Sequence, residues 1–127
     1  MPTEFLIDRV LGSKQLPRAL RERGFVVWTL AAVWGEQQAP TLDDGAWIVE
    51  AAARGWLALT ADKNVRKHPA FHQNPVAVFC LASGNLTGPV QVSRLTDNLE
   101  RILEVAASTP RPFFASVHAR EVHVSEG

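Results

Sequence analysis

The sequence predicts an α/β fold, with a mainly parallel sheet covered by helices, in a single domain spanning residues 1–127. Three observations predict it. Short runs rich in Val, Ile, Leu, Phe and Trp alternate along the chain with stretches of helical spacing, the pattern of strands connected by helices. The first strand–helix–strand unit is complete within about 25 residues, which calls for parallel strands joined by a right-handed crossover. A length of 127 residues makes one domain able to bury one core, and no repeat or linker divides it.

Glu4 to Asp8 contains the apolar run Phe5-Leu6-Ile7 and ends on an acid, reading as a buried strand before a loop at Leu11-Gly12-Ser13. Leu16, Ala19 and Leu20 then recur at helical spacing among Arg18, Arg21, Glu22 and Arg23, and Gly24 supplies the stop. Phe25 to Thr29 is β-branched and aromatic, a second strand. Ala31 to Leu42 contains Gly35 and Pro40 and reads as a loop with one helical turn. A helix follows: Asp43 or Asp44 can cap it, Trp47, Ile48 and Ala51 share a face, and Gly55 ends it. Trp56 to Thr60 is the third strand.

Asp62 to His72 is polar and basic, and Pro69 limits any long helix there. Pro75 leads into a fourth strand, Val76 to Leu81, and the stretch from Ser83 to Pro89 is a turn-rich connector. Val92, Leu95, Leu99, Ile102, Leu103 and Ala106 form one helical stripe, which Pro110 and Pro112 end. Phe113 to Val117 and Glu121 to Val124 read as a final hairpin or two edge strands.

An apolar fraction of 46% and a charged fraction of 20% are those of a soluble globular protein. The formal net charge is zero, so no global basic field advertises nucleic-acid binding. A local basic patch beside an acidic site would be hidden in that sum. The single cysteine, Cys80, lies inside an apolar run and reads as a small buried hydrophobe. The start of the chain lacks the basic and apolar regions of a signal peptide. No stretch approaches the roughly twenty apolar residues of a membrane span, so a cytoplasmic protein without membrane contact is expected.

Asp8, Asp44 and Asp62 carry the functional information, because each stands at the edge of a predicted element. Ligand crevices in open α/β sheets lie outside the carboxyl ends of strands, which is where Asp8 and Asp62 fall. Their bland alternative is a solvated loop acid; for Asp44 it is a helix cap, with Asp43 as its rival. Carboxylates brought together in one pocket are costly unless a cation fills it, and hard oxygen donors suit Mg²⁺ or Mn²⁺. Lys63, Arg66 and Lys67 follow Asp62 at once, giving the acidic floor and basic rim that phosphate chemistry needs. Against this stands an ordinary solvated run. His68 and His72 are four apart, but Pro69 lies between them and nothing completes a zinc set. No glycine-rich phosphate loop is present.

Phe5-Leu6-Ile7-Asp8, then Leu16-Pro17-x-Ala19-Leu20-Arg21-x-x-Gly24 before Val26-Val27, begin a recognisable pattern. It continues through Asp44-x-x-Trp47-Ile48-x-x-Ala51-x-x-x-Gly55-Trp56, Leu59-Thr60-x-Asp62-Lys63-x-x-Arg66 and Pro112-Phe113-Phe114-Ala115-x-Val117. In these residues the chain resembles the PIN-like domain family, the fold of VapC-type toxin ribonucleases, and its compact subgroup in particular. The resemblance implies a three-layer α/β/α sandwich. It also implies a cluster of acids holding Mg²⁺ or Mn²⁺, with Asp8, Asp44 and Asp62 as catalytic residues and metal ligands, and Lys63 and Arg66 on the substrate phosphate. The family pattern has a glutamate on a helix between the first two acids; here that region is short, and Glu36 is a loose match.

The activity so implied is metal-dependent cleavage of RNA, with a cognate antitoxin as protein partner and a homodimer as the common assembly of such toxins. Two rivals stand beside it. One is a PIN-like scaffold that binds a protein or RNA without cutting. The other is a receiver-like phosphoacceptor domain, which needs paired acids at the end of the first strand, where only Asp8 stands.

Overall fold

In a computed structural model of the chain, which describes residues 3–8, 11, 15–81 and 87–125, side chains of each strand alternate between two apolar layers. The strands are β1 (Glu4–Ile7), β2 (Val26–Thr29), β3 (Leu57–Thr60), β4 (Ala77–Leu81), β5 (Phe113–Val117) and β6 (Val122–Val124). They form one sheet in the order β2-β1-β3-β4-β5-β6. All pairings are parallel except β5 with β6. The helices are α1 (Gln15–Glu22), α2 (Leu30–Trp34), α3 (Asp44–Arg54), α4 (Pro69–Gln73), α5 (Gly88–Asp97) and α6 (Leu99–Ser108).

On one face Phe5, Ile7, Leu57, Leu59, Phe79 and Ala115 pack against Leu16 and Leu20 of α1, Leu95 of α5 and Ile102 of α6. On the other, Leu6, Ala58, Val78, Cys80 and Phe114 meet Leu30 of α2, Trp47, Ile48 and Ala51 of α3, and Phe71 of α4. This is the α/β/α sandwich. Central parallel strands are covered on both faces, which is why they read as unbroken apolar runs instead of alternating ones.

Four details refine the sequence expectation. The stripe from Val92 to Ala106 is two helices, because buried Asn98 interrupts it: its Nδ2 donates to the carbonyls of Arg94 (2.8 Å) and His118 (2.7 Å). The segment after β2 holds a complete short helix, α2, capped by the Thr29 hydroxyl, and a 3-10 turn over Ala39–Thr41. The basic stretch is a 3-10 turn over Lys63–Lys67 followed by α4, which Pro69 starts and which stays short, at five residues, as expected. The last two strands do form a hairpin, but only β6 is an edge; β5 is interior, between β4 and β6. Gly12, Ser13 and the connector residues 83–86 lie outside the described residues.

Candidate functional site

The strand order reverses beside β1. The chain passes from β1 over one face through α1 to β2, then returns by α2 and α3 on the other face to β3, on the far side of β1. Such a switch point leaves a crevice at the carboxyl ends of the two strands that flank it. Asp8 follows β1 and Asp62 follows β3, so both acids stand at that crevice. The third acid joins the same end of the sheet by topology: α3 must run back towards the start of β3, which puts its first residue, Asp44, at the carboxyl edge.

A continuous hydrogen-bonded path links the first and last acids. The backbone N–H of Asp8 donates to the carbonyl of Leu59 (2.9 Å), continuing the β1–β3 ladder past the strand end. The Thr60 hydroxyl donates to Asp8 Oδ2 (2.9 Å) and accepts from the Asp62 backbone N–H (3.1 Å). Asp8 is only 3% exposed and Thr60 is fully buried. A buried carboxylate is tolerated when charge-assisted hydrogen bonds replace its water, and Thr60 supplies one. Asp62 in turn accepts from the Asn64 N–H (2.9 Å) and caps the 3-10 turn that carries the cations.

Asp43, not Asp44, caps α3: its Oδ2 accepts from the Gly45 N–H (2.8 Å). Asp44 lies one residue inside, and its Oδ1 accepts from the indole N–H of buried Trp47 (2.9 Å). The ring therefore sets the orientation of this carboxylate from within the core. Asp43 also reaches across to His68 Nε2 (3.3 Å). His68 Nδ1 accepts from the Ala70 N–H (3.1 Å) as the cap of α4, so Nε2 carries the hydrogen that faces Asp43. Gly45 leaves the room this contact needs, since a Cβ there would stand 2.7 Å from Asp43 Oδ2 and 2.9 Å from His68 Cε1. The start of α3, bearing Asp44, is thus tied to the end of the turn that begins at Asp62.

Lys63 and Arg66 are exposed on that turn. The Arg66 guanidinium lies 5.7 Å from the centre of the Phe114 ring, flat cation over aromatic face. Both cations, with Asp62, act electrostatically on Cys80. Burial, and then the Asp62 charge, push its thiol up to about 11 in spite of Arg66 and Lys63, which lower it. Glu36 is exposed in the turn after α2. His72 is exposed while His68 caps α4, so the two do not form a zinc pair.

The donors suit a hard ion in kind: carboxylate oxygens, with no thiolate or imidazole among the three predicted ligands. In placement, the described residues hold no group of three His, Cys, Asp or Glu side chains close enough to bind a metal. Asp8 and Asp62 are brought together through Thr60; Asp44 shares their end of the sheet but turns its carboxylate to Trp47. Two participants were not assigned from the sequence, the Thr60 hydroxyl and the His68 ring. The Thr-x-Asp spacing and a histidine directly before a helix-starting proline were the available signals.

Comparison with known proteins agrees with this architecture. The family model described as "PIN like domain" matches residues 3–83, the segment from β1 to just past β4 that contains all three acids. "Putative ribonuclease VapC45" of Mycobacterium tuberculosis is 30% identical over 120 residues, covering 91% of this chain and 86% of that protein. No solved structure matches. With a parallel sheet split at β1, acids at its carboxyl edge and a family match running through every element that positions them, the chain belongs to the PIN-like domain family.

Proposed function

We propose that this protein is a Mg²⁺- or Mn²⁺-dependent endoribonuclease, the toxin of a type II toxin–antitoxin pair. The observation that carries the reading is the Asp8–Thr60–Asp62 path at the sheet's switch point, in a chain whose relative bears the name of a ribonuclease. Asp8 and Asp62 are the proposed ligands, and Asp44 is a ligand or the base that orients the attacking water. A bound divalent ion would lower the pKa of that water and neutralise charge on the non-bridging phosphate oxygens. Thr60 holds Asp8 in place, and the Trp47 indole fixes the orientation of the Asp44 carboxylate. Lys63 and Arg66 bind the scissile or an adjacent phosphate as point charge and fork respectively. An antitoxin segment and a second copy of the chain are the proposed protein partners, and light scattering on the purified protein checks the latter.

Asp8→Asn and Asp62→Asn test the reading. Each is expected to abolish Mn²⁺-dependent cleavage of RNA while circular dichroism stays unchanged; undiminished cleavage by both variants refutes it. The placement of Asp44 against Trp47, away from a three-acid cluster, favours a second reading, a scaffold that binds RNA or protein without cutting. Calorimetric titration with Mn²⁺ separates the two, since a scaffold without the ion gives no binding heat.

A further inference from the structure

No aspartate or glutamate occurs between Asp62 and Asp97, while Lys63, Arg66, Lys67, His68, His72 and Arg94 all do. In a chain of zero net charge this makes one segment strongly one-signed. The fold gives that segment a direction. It leaves the carboxyl edge of the sheet at Asp62 and must reach the opposite edge, where β4 begins. Its cations are therefore strung along the molecule, starting at the acids.

They end at a groove of about 680 Å³, within the roughly 300–1,000 Å³ of ligand clefts. Arg66, Lys67 and His72 line it together with Phe71, Phe114 and Ser125. No carboxylate lines it among the described residues. Arg66 lies over Phe114, and the Phe71 and His72 rings meet edge to face at 5.1 Å. Phe71 and Phe114 are themselves buried. The exposed guanidinium of Arg66 and the exposed ring of His72 are therefore the flat surfaces a base can stack on, beside cations that track a backbone, as single-stranded nucleic acid requires.

We infer that this groove, with the turn leading to it, binds the single-stranded RNA that extends from the cleavage site. Resting on the nuclease reading above, it adds a second contact region, served by Lys67 and His72, away from the acids. Arg66 belongs to both regions, and Lys67 and His72 follow it along the segment, so a longer RNA gains contacts that a dinucleotide held at the acids does not.

The test measures anisotropy of labelled RNA, from a dinucleotide to roughly an octamer, on the full chain without divalent ions. The double variant Lys67→Ala, His72→Ala alters two exposed side chains, and its fold is checked by circular dichroism. It should weaken octamer binding by about 5- to 20-fold and flatten the salt dependence by about 0.7 per lost phosphate contact. Dinucleotide binding, and Mn²⁺-dependent hydrolysis of bis-p-nitrophenyl phosphate, should stay as in the parent. Wild-type octamer affinity in the double variant overturns the proposal. Displacement of RNA by a polyglutamate peptide at lower concentration than by unlabelled RNA also overturns it, assigning the groove to an acidic protein partner. If groove variants lose RNA while no form of the protein cleaves it, the groove stands and the nuclease reading falls.

Discussion

At the scale of single residues, Thr60 serves two acids with one hydroxyl, donating to Asp8 and accepting from the Asp62 backbone. The adjacent pair Asp43 and Asp44 divides its labour differently: one carboxylate caps the helix, the other answers a buried indole. Asp43→Ala should therefore cost about 1 kcal/mol of stability, the usual worth of a cap. Asp44→Asn keeps an acceptor for Trp47 and should change stability by less than about 0.5 kcal/mol, yet remove RNA cleavage. Urea unfolding and a cleavage assay on both variants check the division. Cys80 makes a pH prediction. Its folded thiol titrates at about 11 against 9.0 for the free group, so it is neutral in both states below about pH 9 and contributes no slope there. Between about pH 9 and 11 the unfolded thiol ionises first, and the fold should lose on the order of 2 kcal/mol. In Cys80→Ala that alkaline loss should disappear from the stability profile.

At the scale of elements, helix boundaries here are decided by side chains that leave the helix. Asn98 separates α5 from α6 because its amide is spent on the turn between β5 and β6, through the His118 carbonyl. That bond docks the β5–β6 hairpin onto the helical layer. Asn98→Ala strips partners from carbonyls of Arg94 and His118, and stability should fall by about 2 kcal/mol or more, read as a lower urea midpoint. His68 plays a comparable part on the other face, capping α4 with one ring nitrogen and meeting Asp43 of the α3 cap with the other. Elements bearing Asp44 and Asp62, already connected through β3, are joined a second time in this way.

At the scale of the whole molecule, the connections diverge at the paired β1 and β3, with α1 leaving on one face and the Asp62 turn on the other. That divergence is also where a ligand would contribute most, since it would bridge both layers. On the proposed function, Mn²⁺ at about 100 times its Kd should stabilise the fold by about 2.7 kcal/mol. For a domain of this size that raises the melting temperature by roughly 10 °C. Calorimetric melting with and without the ion checks it, with chelator reversing the shift and Asp8→Asn abolishing it. Charge is separated at this scale too: Asp97, Glu100 and Glu104 gather around a single Arg101 on α5 and α6, and the cations from Lys63 to His72 on the opposite layer. A net charge of zero concealed both patches.

The sequence by itself determined the parallel strands, the helix that opens near Asp44 and the three acids worth naming. Strands covered on both faces must be apolar throughout, and strand-end acids such as Asp8 and Asp62 are conspicuous beside Ile7 and Thr60. These signals are local, carried by neighbours within a few positions. Only the tertiary structure decided that Asn98 breaks a stripe whose period runs on unbroken, that β5 is interior, and that His68 meets Asp43. It likewise decided that Asp44 turns to Trp47 while Thr60 joins Asp8 to Asp62. Each of those choices depends on which distant donor or acceptor a polar side chain meets once the backbone is placed. Hydrophobic periodicity reports which face is buried, and it carries no record of such pairings.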